Sequence, residues 1–143
     1  MLSNFKAETM RNAPENVVQQ WLDALSSTTI AGELDRHMAL ISQKLKLFGM
    51  PGFDTLGYDD WKRQCAHEFP QRMVDDIHYG PVKIRTTSDG HILFSVHEYI
   101  ETRDGERIKQ PVEMLLSLED DGQWRLTQQR ILDAAEATHL GLE

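Results

Sequence analysis

Two periods of hydrophobic and polar residues divide this chain. Up to about Phe69 apolar residues recur at three- and four-residue steps, and from about Asp75 nearly to the end they alternate with polar ones. Val17, Val18, Trp21, Leu22 and Leu25 form the stripe of an amphipathic helix. Asn12 or the Ala13-Pro14 pair opens it, since the fixed φ of proline suits a first helical turn. The segment from Ser26 to Thr29 reads as a break, after which Leu34, Met38 and Ile41 continue the spacing in a second, short helix. Ile41 to Phe48 can follow as a strand, and Gly49-Met50-Pro51-Gly52 turns the chain. Tyr58, Trp61, Cys65 and Phe69 mark a third helix that Pro70 stops.

Three tripeptides punctuate the alternating half: Ser88-Asp89-Gly90, Arg103-Asp104-Gly105 and Asp120-Asp121-Gly122. Each suits a three-residue hairpin loop with glycine in the left-handed position. This loop type pairs Thr87 with His91, Thr102 with Glu106 and Glu119 with Gln123, which fixes every register in a four-stranded meander. One face then collects Val82, Ile84, Ile92, Phe94, Val96, Val112, Met114, Leu116, Trp124, Leu126 and Leu132. The other is mostly polar. A one-residue slip in any hairpin would mix the two sets, so their separation supports all three registers together.

The apolar face needs a cover, and only the three amphipathic helices can supply it. The expected fold class is α+β: three N-terminal helices packed on a curved, mainly antiparallel sheet. The order of elements resembles the nuclear-transport-factor-2-like or SnoaL-like superfamily. The residues that carry the likeness are the Leu47-Phe48-Gly49-Met50-Pro51-Gly52 turn, the Gly57-Tyr58-Asp59-Asp60-Trp61 helix entry, and the long hairpins ending in Asp121-Gly122-Gln123-Trp124-Arg125-Leu126. The resemblance implies a cystatin-like cone with a pocket between sheet and helices, and a homodimer through the outer sheet face. It implies no single activity, because that superfamily holds isomerases, dehydratases, cyclases and epoxide hydrolases beside members without catalysis.

Composition narrows the function classes. A chain of 143 residues fits one domain spanning 1–143, with 1–11 and 138–143 expected as flexible ends. No apolar run approaches the roughly 20 residues of a membrane span. The formal charge of −8 opposes binding to nucleic acid. Cys65 stands alone, which excludes an intramolecular disulfide, and Met1 to Arg11 lacks the apolar core of a signal peptide, so a cytoplasmic location is expected. No two of the six histidines stand at i, i+4, and no glycine-rich phosphate loop occurs, so neither a metal nor a cofactor is expected.

Four residues interrupt the apolar face in the derived registers: Glu98, Gln110, Gln128 and Arg130. Glu98 falls opposite Gln110, and Arg130 opposite Val112, near enough for long side chains to meet. Such a carboxylate is either an acid or base tuned beside a cation, or half of a structural ion pair. His37 lies one step from the stripe of the second helix, as a proton carrier facing the pocket or as a hydrogen-bonded boundary histidine. Trp21, Phe48, Trp61 and Tyr79 offer aromatic walls, and Met114 an apolar one. Two readings follow. In the first, the cone binds a small apolar or aromatic molecule whose polar end meets Gln128, Arg130 and Glu98. In the second, it is a cofactor-free lyase, isomerase or cyclase in which Glu98 or His37 moves a proton beside Arg130. On the outer face Leu93 and Leu115 form an apolar centre ringed by charge, as in a self-associating surface.

Overall fold

A computed structural model describes residues 13–49, 52 and 55–142. Helix α1 (Pro14–Ala31) starts with Pro14 in its first turn and ends at Gly32, whose φ of 69° closes the helix in the left-handed conformation. The break expected at Ser26 to Thr29 does not occur. Ser27, Thr28 and Thr29 each donate a side-chain hydroxyl to the carbonyl four residues back, so their polar groups are satisfied within the helix. Helix α2 (Leu34–Met38) and strand β1 (Ile41–Phe48) follow as expected. Asn12, Met50 and Pro51 lie outside the described residues, as does the expected flexible end 1–11.

Strand β2 (Leu56–Gly57) leads into α3 (Tyr58–Glu68), where Asp60 accepts the Gly57 N–H at 2.9 Å and so satisfies a donor at the helix start. Then come β3 (Val74–Tyr79), β4 (Lys83–Ser88), β5 (His91–Thr102), β6 (Arg107–Leu118), β7 (Trp124–Ile131) and α4 (Ala134–His139). The sheet has seven strands in the order β2-β1-β7-β6-β5-β3, with β4 on the other half of β5. The pair β1 and β7 is parallel and extends the meander past its expected last strand. The architecture is the α+β cone: α1, α2 and α3 cover the side of the sheet that carries Phe94, Val96, Val112, Met114, Leu116 and Leu126. These residues form one core with Val18, Trp21, Leu22 and Leu25 of α1. Among the described residues no helix is long and apolar enough to cross a membrane.

Two of the three hairpin loops have the expected form, with Thr102 N–H bonded to Glu106 O and Glu119 N–H to Gln123 O, both at 2.9 Å. The first differs: Ser88 pairs with His91 around a two-residue Asp89-Gly90 loop. A bulge at Arg85 then restores Ile84 opposite Phe94, so the inner face of β4 keeps its expected residues. The β5–β6 register is as derived throughout, including Glu98 opposite Gln110.

The β6–β7 register requires a correction. It starts as derived, with Leu118 opposite Trp124 and Leu116 opposite Leu126, but Leu115 pairs with Gln128 and leaves Thr127 as an extra residue. That bulge inverts the alternation. Gln128 and Arg130 turn to the outer face, opposite Leu115 and Glu113, while Gln129 and Ile131 turn inward, opposite Met114 and Val112. Leu132 moves outward for the same reason and packs with Ala137 and Leu142 in a second small cluster. Helix α4 therefore lies on the outer face, held by Arg130 to Glu136, with Gly141 beside Lys83 of β4. The end expected to be loose from 138 instead has Leu142 only 4% exposed.

Candidate functional site

A cavity of about 570 Å³ opens between α3 and the end of the sheet where β1, β6 and β7 meet. Helix α3 contributes Trp61, Cys65 and Glu68, and the strands contribute Leu47, Leu56 and Ile131 with the amides of Gln110 and Gln129. Its size lies within the range of small-molecule sites. Another cleft, of about 640 Å³, lies where the β6–β7 loop meets α2 and β1. It is the more polar of the two, and its arginine, Arg125, is already committed to Glu119 at 3.1 Å and Asp121 at 2.8 Å. The cavity beside α3 is the better candidate because apolar wall and convergent amides occur there together.

Of the residues singled out in the sequence, Trp61 and Gln110 line this cavity. Trp21 belongs to the core, where its indole N–H donates to Leu40 O at 3.1 Å. Met114 is fully buried in the same core, and Phe48 is half-buried outside the cavity wall. Gln128 and Arg130, turned out by the bulge, do not approach Glu98. Arg130 instead reaches Glu113 at 3.6 Å and pairs with Glu136. The expected acid beside a cation is thus dissolved into two separate arrangements.

Glu98 is 6% exposed, and both of its carboxylate oxygens accept hydrogen bonds. Tyr79 O–H donates to Oε2 at 2.9 Å, and the Gln110 amide N–H donates to Oε1 at 2.7 Å. Burial raises the Glu98 pKa above the ordinary value, and the two donors partly offset it. Burial, then the adjacent negative charge of Glu98, raises the Tyr79 phenol well above its usual range. Tyr79 is positioned by strand pairing, since β3 places it directly opposite Glu98.

His37 is also spent internally. Trp61 Nε1–H donates to His37 Nε2 at 2.9 Å, so that nitrogen carries no proton, and Nδ1–H must face Thr28 Oγ1 at 3.0 Å. The Thr28 hydroxyl passes its own proton to Ala24 O. The imidazole packs against Trp61 and, edge-on, against Phe69. It is 3% exposed, and burial lowers its pKa to about 4. His37 is therefore neutral at pH 7 and fixes the back of the tryptophan that forms the cavity wall.

Sequence reasoning missed Gln129 and Ile131 because the bulge was not accounted for, and missed Cys65 as a wall residue because its stripe reads as core. Burial, with the charge of Glu68 beside it, pushes the Cys65 thiol up to about 12, so it is not a nucleophile at neutral pH. Gln129 Oε1 is buried without a donor. An unsatisfied carbonyl in an apolar wall costs roughly 1 to 3 kcal/mol. Gln129→Met is therefore expected to leave the stability unchanged or raise it by about 1 kcal/mol in a urea melt. A loss of that size would mean the oxygen has a partner.

No protein-family model and no curated protein sequence matches the chain. Solved structures do. An NTF-2-like protein of unknown function from Shewanella oneidensis superposes with a TM-score of 0.71 at 17% identity, over 84% of this chain and 99% of the other. An NTF2-like protein with a cystatin-like fold from Novosphingobium aromaticivorans gives 0.71 at 12% identity over 96% of each. A Catenulispora acidiphila protein in complex with S-DNPA gives 0.64 at 16% identity, over 80% of this chain and 90% of that one. The chain has the NTF2-like, cystatin-like fold that its sequence pattern resembles.

Proposed function

We propose that this protein binds a small, largely apolar or aromatic molecule in the cavity between α3 and the open end of the sheet. The observation that carries the reading is the cavity of about 570 Å³, in which Trp61, Leu47, Leu56 and Ile131 offer apolar surface and Gln110 and Gln129 offer hydrogen bonds. A similarly folded protein from Catenulispora acidiphila holds a small ligand. The catalytic alternative, a cofactor-free lyase, isomerase or cyclase, has less support. Both nitrogens of His37 and both oxygens of Glu98 are already bonded within the protein, and neither residue lines the cavity.

The test is an NMR screen of bicyclic aromatic compounds against isotopically labelled protein. Binding in the cavity is expected to move the Trp61 indole and the Gln110 and Gln129 side-chain amide signals together. Ligand-induced shifts confined to the outer sheet face would overturn the assignment.

The outer face is proposed as the contact with a second copy of the chain. Leu93 and Leu115 pair across β5 and β6 there and are half-buried, beside the part that α4 covers. Sedimentation is expected to give a dimer for the parent protein and a monomer for Leu93→Arg. A parent that sediments as a monomer at tens of micromolar removes this proposal.

A further inference from the structure

The cavity's polar contacts are not independent of the buried carboxylate behind them. Gln110 lines the cavity and also bonds Glu98, so its amide joins the two. A terminal amide can present either its carbonyl oxygen or its NH2 group in a given direction by a half-turn about its last torsion, and what lies at the other end selects between them. Here that other end is a carboxylate whose Oε2 takes the Tyr79 hydroxyl at 2.9 Å and whose Oε1 lies 2.7 Å from Gln110 Nε2. With the Tyr79 hydroxyl on one oxygen and the Gln110 amide on the other, Glu98 accepts on both sides. It therefore holds the NH2 group toward itself, because the reverse orientation would set two oxygens against each other in a dry interior. Among the described residues nothing donates to Gln110 Oε1, and that oxygen is not sealed from solvent as Gln129 Oε1 is.

We propose that Glu98 is a specificity-determining positioning residue: through Gln110 it presents a hydrogen-bond acceptor to the cavity. The ligand class selected is an uncharged aromatic or apolar molecule bearing a hydroxyl or N–H donor. This rests on the cavity being the binding site. It further assigns Glu98 a role without proton transfer and sets the polarity of the ligand. The cavity wall supports the same sign. Glu68 and Asp60 line it with one cation, Arg63, which is bonded to Asp60 at 3.3 Å, so an anionic ligand would meet a net negative wall. The arginine that the sequence offered for holding an acid, Arg130, lies on the opposite side of the sheet.

The experiment is calorimetric titration of the full chain with three probes of nearly equal shape: 2-naphthol, which donates, 2-methoxynaphthalene, which only accepts, and 2-naphthoate, an anion. The naphthol is expected to bind about tenfold more tightly than the ether, the factor that one neutral hydrogen bond supplies, and the naphthoate more weakly than both. In Glu98→Gln the partner of Gln110 can donate as well as accept, the amide is free to turn, and the naphthol-to-ether ratio is expected to fall to within about threefold. In case that variant does not fold, Gln110→Leu provides a second reading, in which naphthol should drop to the level of the ether. The ratio is the diagnostic, because general damage to the cavity weakens both probes alike. Equal binding of naphthol and ether by the parent protein, or a ratio that survives Gln110→Leu, overturns the inference while leaving the cavity as the site. Failure of all three probes to bind, with the Trp61 signal unmoved, removes the site itself and the inference with it.

Discussion

Acidification from pH 7 to pH 4 is expected to remove about 3 kcal/mol of stability through His37 alone. In the unfolded chain an imidazole takes up its proton near pH 6.5, whereas in the fold its pKa is about 4. The cause is burial: a cation there would lose its hydration, and a proton on Nε2 would confront the Trp61 N–H that now points at it. Between these two values the unfolded state binds more protons than the folded one, so stability rises with pH across that window. The His37 contribution is complete above about pH 6.5 and is lost as the pH falls toward 4. The gap of about 2.5 pH units corresponds to roughly 3 kcal/mol. Glu98 acts in the opposite sense, because its folded pKa is raised; its contribution is complete below the unfolded carboxylate value and declines as pH rises through the folded one. Other carboxylates titrate in the same region, so the measurement is a comparison. Urea melts of the parent and of His37→Gln, which keeps a group able to accept from Trp61 and donate to Thr28, are run from pH 7.5 to 4. The variant is expected to lack about 3 kcal/mol of the pH-dependent loss. Parallel curves for the two proteins would show that His37 is protonated in the fold without cost.

The sheet was legible where turn chemistry and alternation constrain each other. Asp104-Gly105 and Asp121-Gly122 specify loops that need a left-handed residue, and the apolar sets of β5 and β6 agree with only one register. Glu98 opposite Gln110 followed directly. The helix stripes were legible for the same reason, since Val18, Trp21, Leu22 and Leu25 repeat at helical steps and all enter the core. The Ser26 to Thr29 segment misled because hydroxyl residues favour caps and turns on average. Here Thr28 is needed inside the helix as the partner of His37, a contact with a residue nine positions on that no local rule contains. The candidate site was only half legible. Trp61 and Gln110 stand on elements whose period is unbroken, whereas Gln129 and Ile131 stand beyond the bulge. In the sequence Gln128-Gln129-Arg130-Ile131, two neighbouring glutamines and a charged residue next to an apolar one leave the parity weakly marked. Thr127 carries no local signal of its extra position; what marks it in the fold is a pair of distant contacts, its hydroxyl lying 2.8 Å from Ser117 Oγ and 3.2 Å from Leu115 O.

Inserting one alanine between Thr127 and Gln128 is accordingly expected to have a larger effect than any single substitution near the cavity. With one residue more, Thr127 still bulges, the alanine takes the place opposite Leu115 and the alternation beyond it inverts, so Gln128 and Arg130 would face the helices, and Gln129 and Ile131 would face outward. Arg130 would leave Glu113 and Glu136 for an apolar wall, and both carboxylates would lose their cation. An unpaired guanidinium on the inner face, together with the lost burial of Ile131, is expected to cost roughly 4 kcal/mol or more. The parallel pairing of Lys46, Leu47 and Phe48 with Gln128, Gln129 and Arg130 would be lost or shifted as well. The expected result is a protein that fails to accumulate in folded form or melts at least 15 °C below the parent, a shift of the size such a loss gives for a chain of this length. Thr127→Val separates the bulge from its hydrogen bonds: it keeps the residue count, and so the parity, while removing the hydroxyl, and should cost only about 1 kcal/mol. If the insertion melted within about 1 kcal/mol of the parent, the strand would have absorbed the additional residue elsewhere. The inward placement of Gln129 and Ile131, on which the cavity depends, would then not be set at Thr127.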